Sequence, residues 1–404
     1  MAGKRQGFIE RRKSCGYSQE SFAEAVGVDR TTVQRWENGK SEPHAWQRPR
    51  IAKILDIVSD ELSVLLSAEN RVSELPPAGW SAEISPSHDD EFEALELARR
   101  VQMSDVGAET LNRLERAFDD LAMKYPVTPP QELLKRVLKH SSYVAHLLDA
   151  KKTLSEHRKL LVVGGWLSLL GATLHIDLNQ QDAATARLQT AATLAQQAEH
   201  DEIHAWCFET DAWRVLTDGD YLRALELSQI AQSIAPANTS VFIQATAQEG
   251  RARARLGQSK ETYSAISRVQ QMSAAMKRPD HPEHHYQYDP GKALSYTATT
   301  LAWVGDPAAE TYAREVISQL APGDDVTNWP RRAASANIDL ALSLLAGDRI
   351  DEACVAAQRA ILSGRVVPSN HWRALEVVNV VEARKLPEAS DLREAYQGLR
   401  SLTS

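Results

Sequence analysis

Gly16 to Pro43 reads GYSQESFAEAVGVDRTTVQRWENGKSEP, and this stretch decides the fold of the N-terminal end. It has the marks of two short helices joined by a tight turn. Ser18 is placed to cap a first helix from Gln19 to about Val26, and Glu20 favours its positive end. Phe22, Ala23 and Val26 fall at i, i+1 and i+4 and make one apolar face. Gly27 ends the helix, because glycine takes a positive φ without strain. Val28 anchors the turn. Asp29 caps a second helix, Arg30 to Asn38, and Gly39 stops it. In that helix Val33 and Trp36 point inward. Arg30, Thr31, Gln34 and Arg35, at i, i+1, i+4 and i+5, point the other way.

The stretch resembles the helix-turn-helix of lambda-like phage repressors and the Xre family. The likeness rests on Ser18-Gln19, Phe22-Ala23, Gly27-Val28, the TTV of Thr31 to Val33, and WENGKSEP from Trp36 to Pro43. The family carries Leu or Ile more often than Trp at the position of Trp36. The resemblance implies DNA binding through the second helix. The physics agrees, since a slim helix with short and forked donors on its outer face fits the major groove. Arg30 and Arg35 are candidates for guanine O6 and N7, Gln34 for adenine, and Thr31 for a thymine methyl. Gln19, Thr32, Asn38 and Lys40 sit where the family holds phosphates, contacts that set register and carry no sequence information. The bland alternative is an ordinary helical hairpin with a solvated outer face. Cap, turn glycine, core pattern and terminator all agree against it.

At 404 residues the chain is long enough for two or three domains. No apolar run approaches eighteen residues, so no transmembrane helix and no membrane partner are expected. The opening MAGKRQGFIERRKS lacks the apolar run of a signal peptide, which points to a cytoplasmic protein. Cys15, Cys207 and Cys354 are far apart and lie in helical patterns, as free thiols in a reducing compartment do. The net charge of −8 hides an asymmetry. Residues 1 to 55 are about +5, which leaves about −13 for the rest. A basic head on an acidic body fits a protein that offers only its head to DNA.

Lys4 to Cys15 is expected to form the first helix of the head. Phe8 and Ile9 face its core, while Arg11, Arg12 and Lys13 are solvated or lie near phosphates. After Pro43 a helical pattern interrupted near Pro49 supplies Trp46, Ile51, Ile54 and Leu55 to the core, and Ser59 to Leu66 closes the domain. Four segments follow from this reading: residues 1–67 a helix-turn-helix domain, 68–90 a linker holding Trp80, 91–155 a helical connector, and 156–404 a helical repeat domain. In the connector, Phe92 to Met103, Glu109 to Tyr125 and Leu133 to Leu148 read as helices. The stripe Leu111, Leu114, Phe118 and Leu121 serves either as a dimer seam or as core, core being the commoner outcome.

From about Glu156 the chain reads as helical hairpins 35 to 45 residues apart. The clearest runs from Asp201 to Pro236, with Trp206, Ala212 and Trp213 on its first helix, Asp218-Gly219-Asp220 as turn, and Ala224, Leu227 and Ala231 on its second. It resembles a tetratricopeptide repeat, whose small residues let two helices pack closely. Leu160–Leu174 pairs with Ala183–Ala198 before it. Three more pairs follow, with turns at Leu256-Gly257, Val304-Gly305-Asp306 and Ala346-Gly347-Asp348. Trp372–Lys385 and a last helix near Ser390–Leu402 cap the end. The expected fold is therefore all-α: a lambda-repressor-like helix-turn-helix domain followed by a tetratricopeptide-like α-solenoid. The order of domains resembles Xre and tetratricopeptide regulators of bacteria, most closely the actinobacterial ones.

The first helix of each pair should line a concave face. Gln244, Gln248 and Arg251 lie at i, i+4 and i+7. Lys292, Tyr296 and Thr299 line another helix, Asn337 sits among alanines, and Asn370, Arg373 and Asn379 continue the series. Asparagine amides can bind a peptide backbone through donor and acceptor; each residue taken singly fits a structural or solvated role as well. RPDHPEHHYQYDPGK, Arg278 to Lys292, is an insertion between repeats. Its adjacent His284 and His285 lack the i, i+4 spacing of helical zinc sites. A loop over the groove mouth and a plain connector are the other readings.

Three function classes are weighed. The first is a sequence-specific transcription regulator, dimeric on a two-fold site of double-stranded DNA, whose repeats sense a peptide or small effector. The second is a DNA-bound adaptor whose repeats recruit a partner protein. The third is an enzyme, for which the sequence offers no Gly-rich phosphate loop, no GxSxG and no HExxH. No cofactor is implied.

Overall fold

The computed structural model describes residues 5–44, 47–58, 61–62, 65–66, 97, 103–320, 329–385 and 388–401, and among them every regular element is a helix. The chain divides into two units, Met1–His88 and Asp89–Ser404. The expected linker with Trp80, residue Trp46, and most of the expected helix at Phe92–Met103 lie outside the described residues.

The first unit is built from α1 (Gln6–Ser14), α2 (Gln19–Val26), α3 (Arg30–Glu37) and α4 (Arg48–Ile54). Phe8, Phe22, Val26, Val33, Trp36, Ile51 and Leu55 close its core, with Leu62 and Leu66 of the expected closing helix buried among them. Each fully buried large side chain contributes about 1.5–3 kcal/mol. Phe22 meets Phe8 and Tyr17 edge-on at 6.1 and 6.0 Å. Ile9 and Ile54 are half-buried. Pro49 does not interrupt a helix: it stands in the first turn of α4, where its missing N–H would have no intrahelical partner anyway.

The second unit begins with α5 (Ala108–Lys124) and α6 (Pro130–Asp149) and continues as six helical pairs. The pairs are α7 (Leu154–Asp177) with α8 (Gln181–Gln197), α9 (Asp201–Thr217) with α10 (Tyr221–Ile234), and α11 (Ser240–Arg255) with α12 (Ser259–Ala275). Then come α13 (Pro290–Val304) with α14 (Ala308–Leu320), α15 (Pro330–Ala346) with α16 (Ile350–Leu362), and α17 (His371–Ala383) with α18 (Glu388–Ser401). The odd-numbered helices from α7 to α17 pack in succession as an inner layer, and the even-numbered ones stand outside them, as in an α-solenoid. Buried alanines set the close spacing: Ala212 on α9 faces Ala224 and Leu227 on α10 in one cluster.

The connector stripe is core. Leu111, Leu114, Phe118 and Leu121 share one cluster with Leu160, Leu167, Ala191 and Ile203, so α5 and α6 are the first layer of the body and the dimer-seam reading of this stripe falls. α7 is also the one helix among the described residues long and apolar enough to cross a membrane, and it is buried inside this core.

The turns follow the sequence with one exception. Gly219, Gly257 and Gly305 take positive φ. At Ala346-Gly347-Asp348 the left-handed residue is Asp348 at φ 58°, while Gly347 stays at φ −86°. Aspartate tolerates that conformation better than most residues.

The inner row bends until its end meets its beginning. A 3₁₀ turn at Pro368–Asn370, just before α17, packs on α7. Arg331 at the start of α15 binds Asp177 at the end of α7 at 2.8 Å and donates to the Thr128 carbonyl at 2.7 Å. Arg255 of α11 binds both carboxylate oxygens of Glu376 on α17 and lies over the rings of Trp303 and Trp372.

Candidate functional site

The geometry of the helix-turn-helix starts with its caps. Ser18 accepts from the Ser21 amide at 3.1 Å and Ser21 returns the bond to the Ser18 amide at 2.9 Å, a reciprocal capping box. Gly27, at φ +83°, ends α2. Asp29 accepts from the Thr31 amide and hydroxyl at 2.8 and 2.7 Å, and these bonds hold its carboxyl below the usual range. The Thr31 hydroxyl is thus committed, which leaves its methyl as the free end.

On the outer face of α3, Gln34 and Arg35 are exposed and have no side-chain hydrogen bond among the described residues; Lys40, beyond the helix, is the same. Arg30 is exposed and donates to Glu20 at 2.9 Å, a surface pair that contributes little and releases easily. Thr32 and Asn38 are half-buried, and Asn38 is the C-cap rather than a helical residue. Gln19 is turned inward: its amide donates to Glu37.

Glu37 and Arg12 form the part that sequence reading missed. Arg12 Nε binds Glu37 Oε1 at 2.6 Å, with the two side chains 5% and 4% exposed, and Arg12 also donates to the Tyr17 carbonyl. Arg12 is therefore neither solvated nor free for phosphate. Arg11 donates to the Leu55 and Asp56 carbonyls at the end of α4, at 3.0 and 2.6 Å. Arg5 holds the Trp36 and Ser41 carbonyls and Glu42. Of the expected basic cluster on α1, only Lys13 is exposed.

The helix-turn-helix family model matches residues 8–45. The head is an Xre-like helix-turn-helix domain. Such domains bind DNA, and this match runs from within α1 through α3 and stops short of α4. No curated protein matches the chain. In the helix-turn-helix head, then, the inner arginines fasten helices and the outer face of α3 carries the unbonded side chains.

A second site lies inside the body. Inner helices α7 to α17 surround a chamber of about 220 Å³. Gln244, Arg251, Lys292, Tyr296, Thr299, Asn370 and Arg373 all reach it, so the structure brings together groove candidates from four elements. Gln248 does not: it is buried and accepts from Arg251. Asn337 donates to its own helix at the Ala333 carbonyl, 2.9 Å away. Asn379 accepts from Arg393, away from the chamber.

The chamber wall is a polar network on an aromatic frame. Gln244 donates to Glu209 at 3.0 Å and to the Tyr296 hydroxyl at 2.9 Å. Thr299 donates to Asp339 at 2.6 Å, and Arg373 binds the other oxygen of Asp339 and Ser335. Burial raises the Glu209, Asp339 and Asp177 carboxyls, opposed by these partners and by Arg331 at Asp177. Glu209, Trp206, Trp213, Arg331, Arg332 and Arg365 also reach the chamber and were not anticipated; only the placing of Trp206 and Trp213 on a first helix hinted at them.

The insertion forms part of this wall. Tyr286 sits among Phe118, Trp166 and Trp206 at 5.0–6.0 Å, and the His285 amide donates to the Ala122 carbonyl. Lys292 is buried and its ammonium donates to the His285 and Gln287 carbonyls. Burial and Arg332 pull Lys292 down to about 7, against Asp289 and Glu209. The insertion is thus a packed connector whose Glu283 and His285 also line the chamber. Among the described residues no group of three His, Cys, Asp or Glu could hold a metal ion. Burial pushes the Cys207 thiol up to about 12, which makes it a packing group.

Proposed function

We propose that the protein is a sequence-specific transcriptional regulator that binds a two-fold operator as a homodimer, and whose tetratricopeptide-like body senses a peptide or small effector. The observation that carries the DNA part is the division of labour in the head. Arg5, Arg11, Arg12 and Gln19 are bonded inside it, while Gln34 and Arg35 stand on the outer face of α3 with no side-chain bond among the described residues. Arg35 and Arg30 read guanine, Gln34 reads adenine, and the Thr31 methyl touches thymine. Thr32, Asn38 and Lys40 hold phosphates. Gln19 helps by fixing Glu37 rather than by reaching the backbone.

One head reads too few base pairs for a genome-wide search, which favours a dimer and half-sites a helical turn apart. The chamber supports the sensing part. An effector switches the regulator only if it binds one arrangement of the heads better than the other.

Recovery of bound DNA from the native host supplies the operator and shows whether it is palindromic. On that site Arg35→Ala should cost about 1–3 kcal/mol and relax specificity at one base. Lys40→Ala should weaken all sequences alike and lower the salt slope by about one. Unchanged specific binding by the Arg35 variant would remove α3 from the major groove.

A further inference from the structure

We infer that the chamber binds a small organic oxyanion, a carboxylate or phosphate on a flat or apolar body, with Arg251 as its anchor and Arg365 beside it. This deepens the sensing role proposed above and rests on it.

The argument runs through donors and acceptors. The acidic groups of the wall already have partners: Asp177 has Arg331, Asp339 has Arg373 and Thr299, and Glu209 has Gln244. The basic groups are less well served. Arg251 lines the chamber at 8% exposed, and its one side-chain hydrogen bond among the described residues goes to the neutral amide oxygen of Gln248. Arg373, by contrast, is engaged through both Nη groups, by Ser335 and Asp339. Arg365 and Asn370 line the same chamber with no side-chain bond among the described residues. A site with surplus forked donors and committed acids favours a ligand that is negative and rich in acceptors.

Size and shape define the rest. The chamber is smaller than the roughly 300–1,000 Å³ of pockets that take drug-sized ligands. The insertion crosses the concave side, with Tyr286 packed among α5, α7 and α9, and the 3₁₀ turn before α17 closes on α7. Trp213 offers a flat wall for the body of the ligand, beside the Arg251 guanidinium that lies over the Tyr296 ring at 4.4 Å.

The test is calorimetric titration of the full chain, without DNA, with benzoate, phenyl phosphate, benzylamine and a free-ended penta-alanine peptide. Benzoate or phenyl phosphate should bind at millimolar concentration or better, and the stronger of the two names the headgroup. Benzylamine, with the same ring and the opposite charge, should not bind. Arg251→Gln should weaken the anion by about ten- to a hundredfold, and Arg251→Lys should restore part of it. Arg365→Glu changes an exposed side chain, leaves the fold intact and should weaken the anion several-fold. Silence of both anions, equal binding of benzylamine, tighter binding of penta-alanine, or indifference to both Arg251 and Arg365 would each overturn the inference. A chamber that fails these tests leaves DNA reading by Arg35 untouched. Anion binding that leaves operator affinity unmoved keeps the site and removes the sensing role.

Discussion

The head and the body dispose of their arginines in opposite ways. In the head, Arg5, Arg11 and Arg12 are turned inward and bonded, and Arg35 stands on the surface without a partner among the described residues. In the body, Arg331, Arg255 and Arg373 are bonded to carboxylates across the inner layer, and Arg251, whose one side-chain bond among the described residues is to the neutral amide of Gln248, lines an interior chamber. A free guanidinium at the surface is satisfied by water and loses little while it waits for a phosphate or a base edge. The outer face of the head is therefore at ease when empty, and the anion proposed for the body would meet the charge that Arg251 shares only with Gln248.

The contrast breaks hardest at the buried pair of the head. Glu37→Ala leaves Arg12 charged, enclosed and unmatched, and frees Gln19 as well. The expected loss is about 3–5 kcal/mol, read by hydrogen exchange of the α1 to α3 amides, with the body amides unchanged. A loss below about 1 kcal/mol would give the pair the weight of a surface ion pair and remove the distinction drawn between inner and outer arginines.

The corresponding break in the body is apolar. Tyr286→Ala removes a ring held among Phe118, Trp166 and Trp206. We expect a cost of about 3–5 kcal/mol, as for other large aromatic truncations, read as a shift of the urea midpoint. It should also loosen the segment that carries His285 and Lys292. A small effect would make the insertion a lid resting on the chamber, not a wall of it.

What the sequence disclosed depended on how far apart the partners lie. Ser18, Gly27, Asp29 and Gly39 act within a few residues of themselves, so the turn between α2 and α3 could be read directly. The alternation of small residues and glycine turns gave the paired helices for the same reason. Arg12 and Glu37 are separated by 25 positions, and Arg331 and Asp177 by 154. No local pattern announces such pairs, and a basic cluster on α1 looks solvated until its acceptors are known. Gln248 failed for another reason. α11 is covered on more than one side, so residues four apart from Gln244 need not share its surface. The α5 stripe was ambiguous because core and seam demand the same spacing.

A third test sharpens the comparison by pH. In the body the group that titrates is Lys292. Its folded value, about 7, lies below the unfolded one of about 10.4. Between those values the unfolded chain holds a proton that the folded chain lacks. Body stability should therefore rise from about pH 7 toward pH 10 and be flat below 7. Arg332, Asp289, Glu209, His284 and His285 surround the amine. Lys292→Met should flatten the rise in urea titrations across that range. A slope that survives the substitution would assign it to another group.

The smallest expected effect tests whether the head's legibility reflects real energetics. Ser18 caps α2 through two reciprocal bonds with Ser21. Ser18→Ala should cost about 1 kcal/mol, and Ser18→Gly only a few tenths, because glycine suits the cap backbone and admits water to the bare amides. The loss should appear as faster exchange at the Ser21 amide before any global change. It should also weaken DNA binding slightly and equally for all sequences, since Ser18 supports the helix that fixes α3 and touches no base in the proposed docking. Equal cost for Ala and Gly would mean that the side-chain bond contributes nothing and that the turn is set by Phe22 and Val26 packing. The strongest signal in the sequence would then be a mark of the fold without being one of its causes.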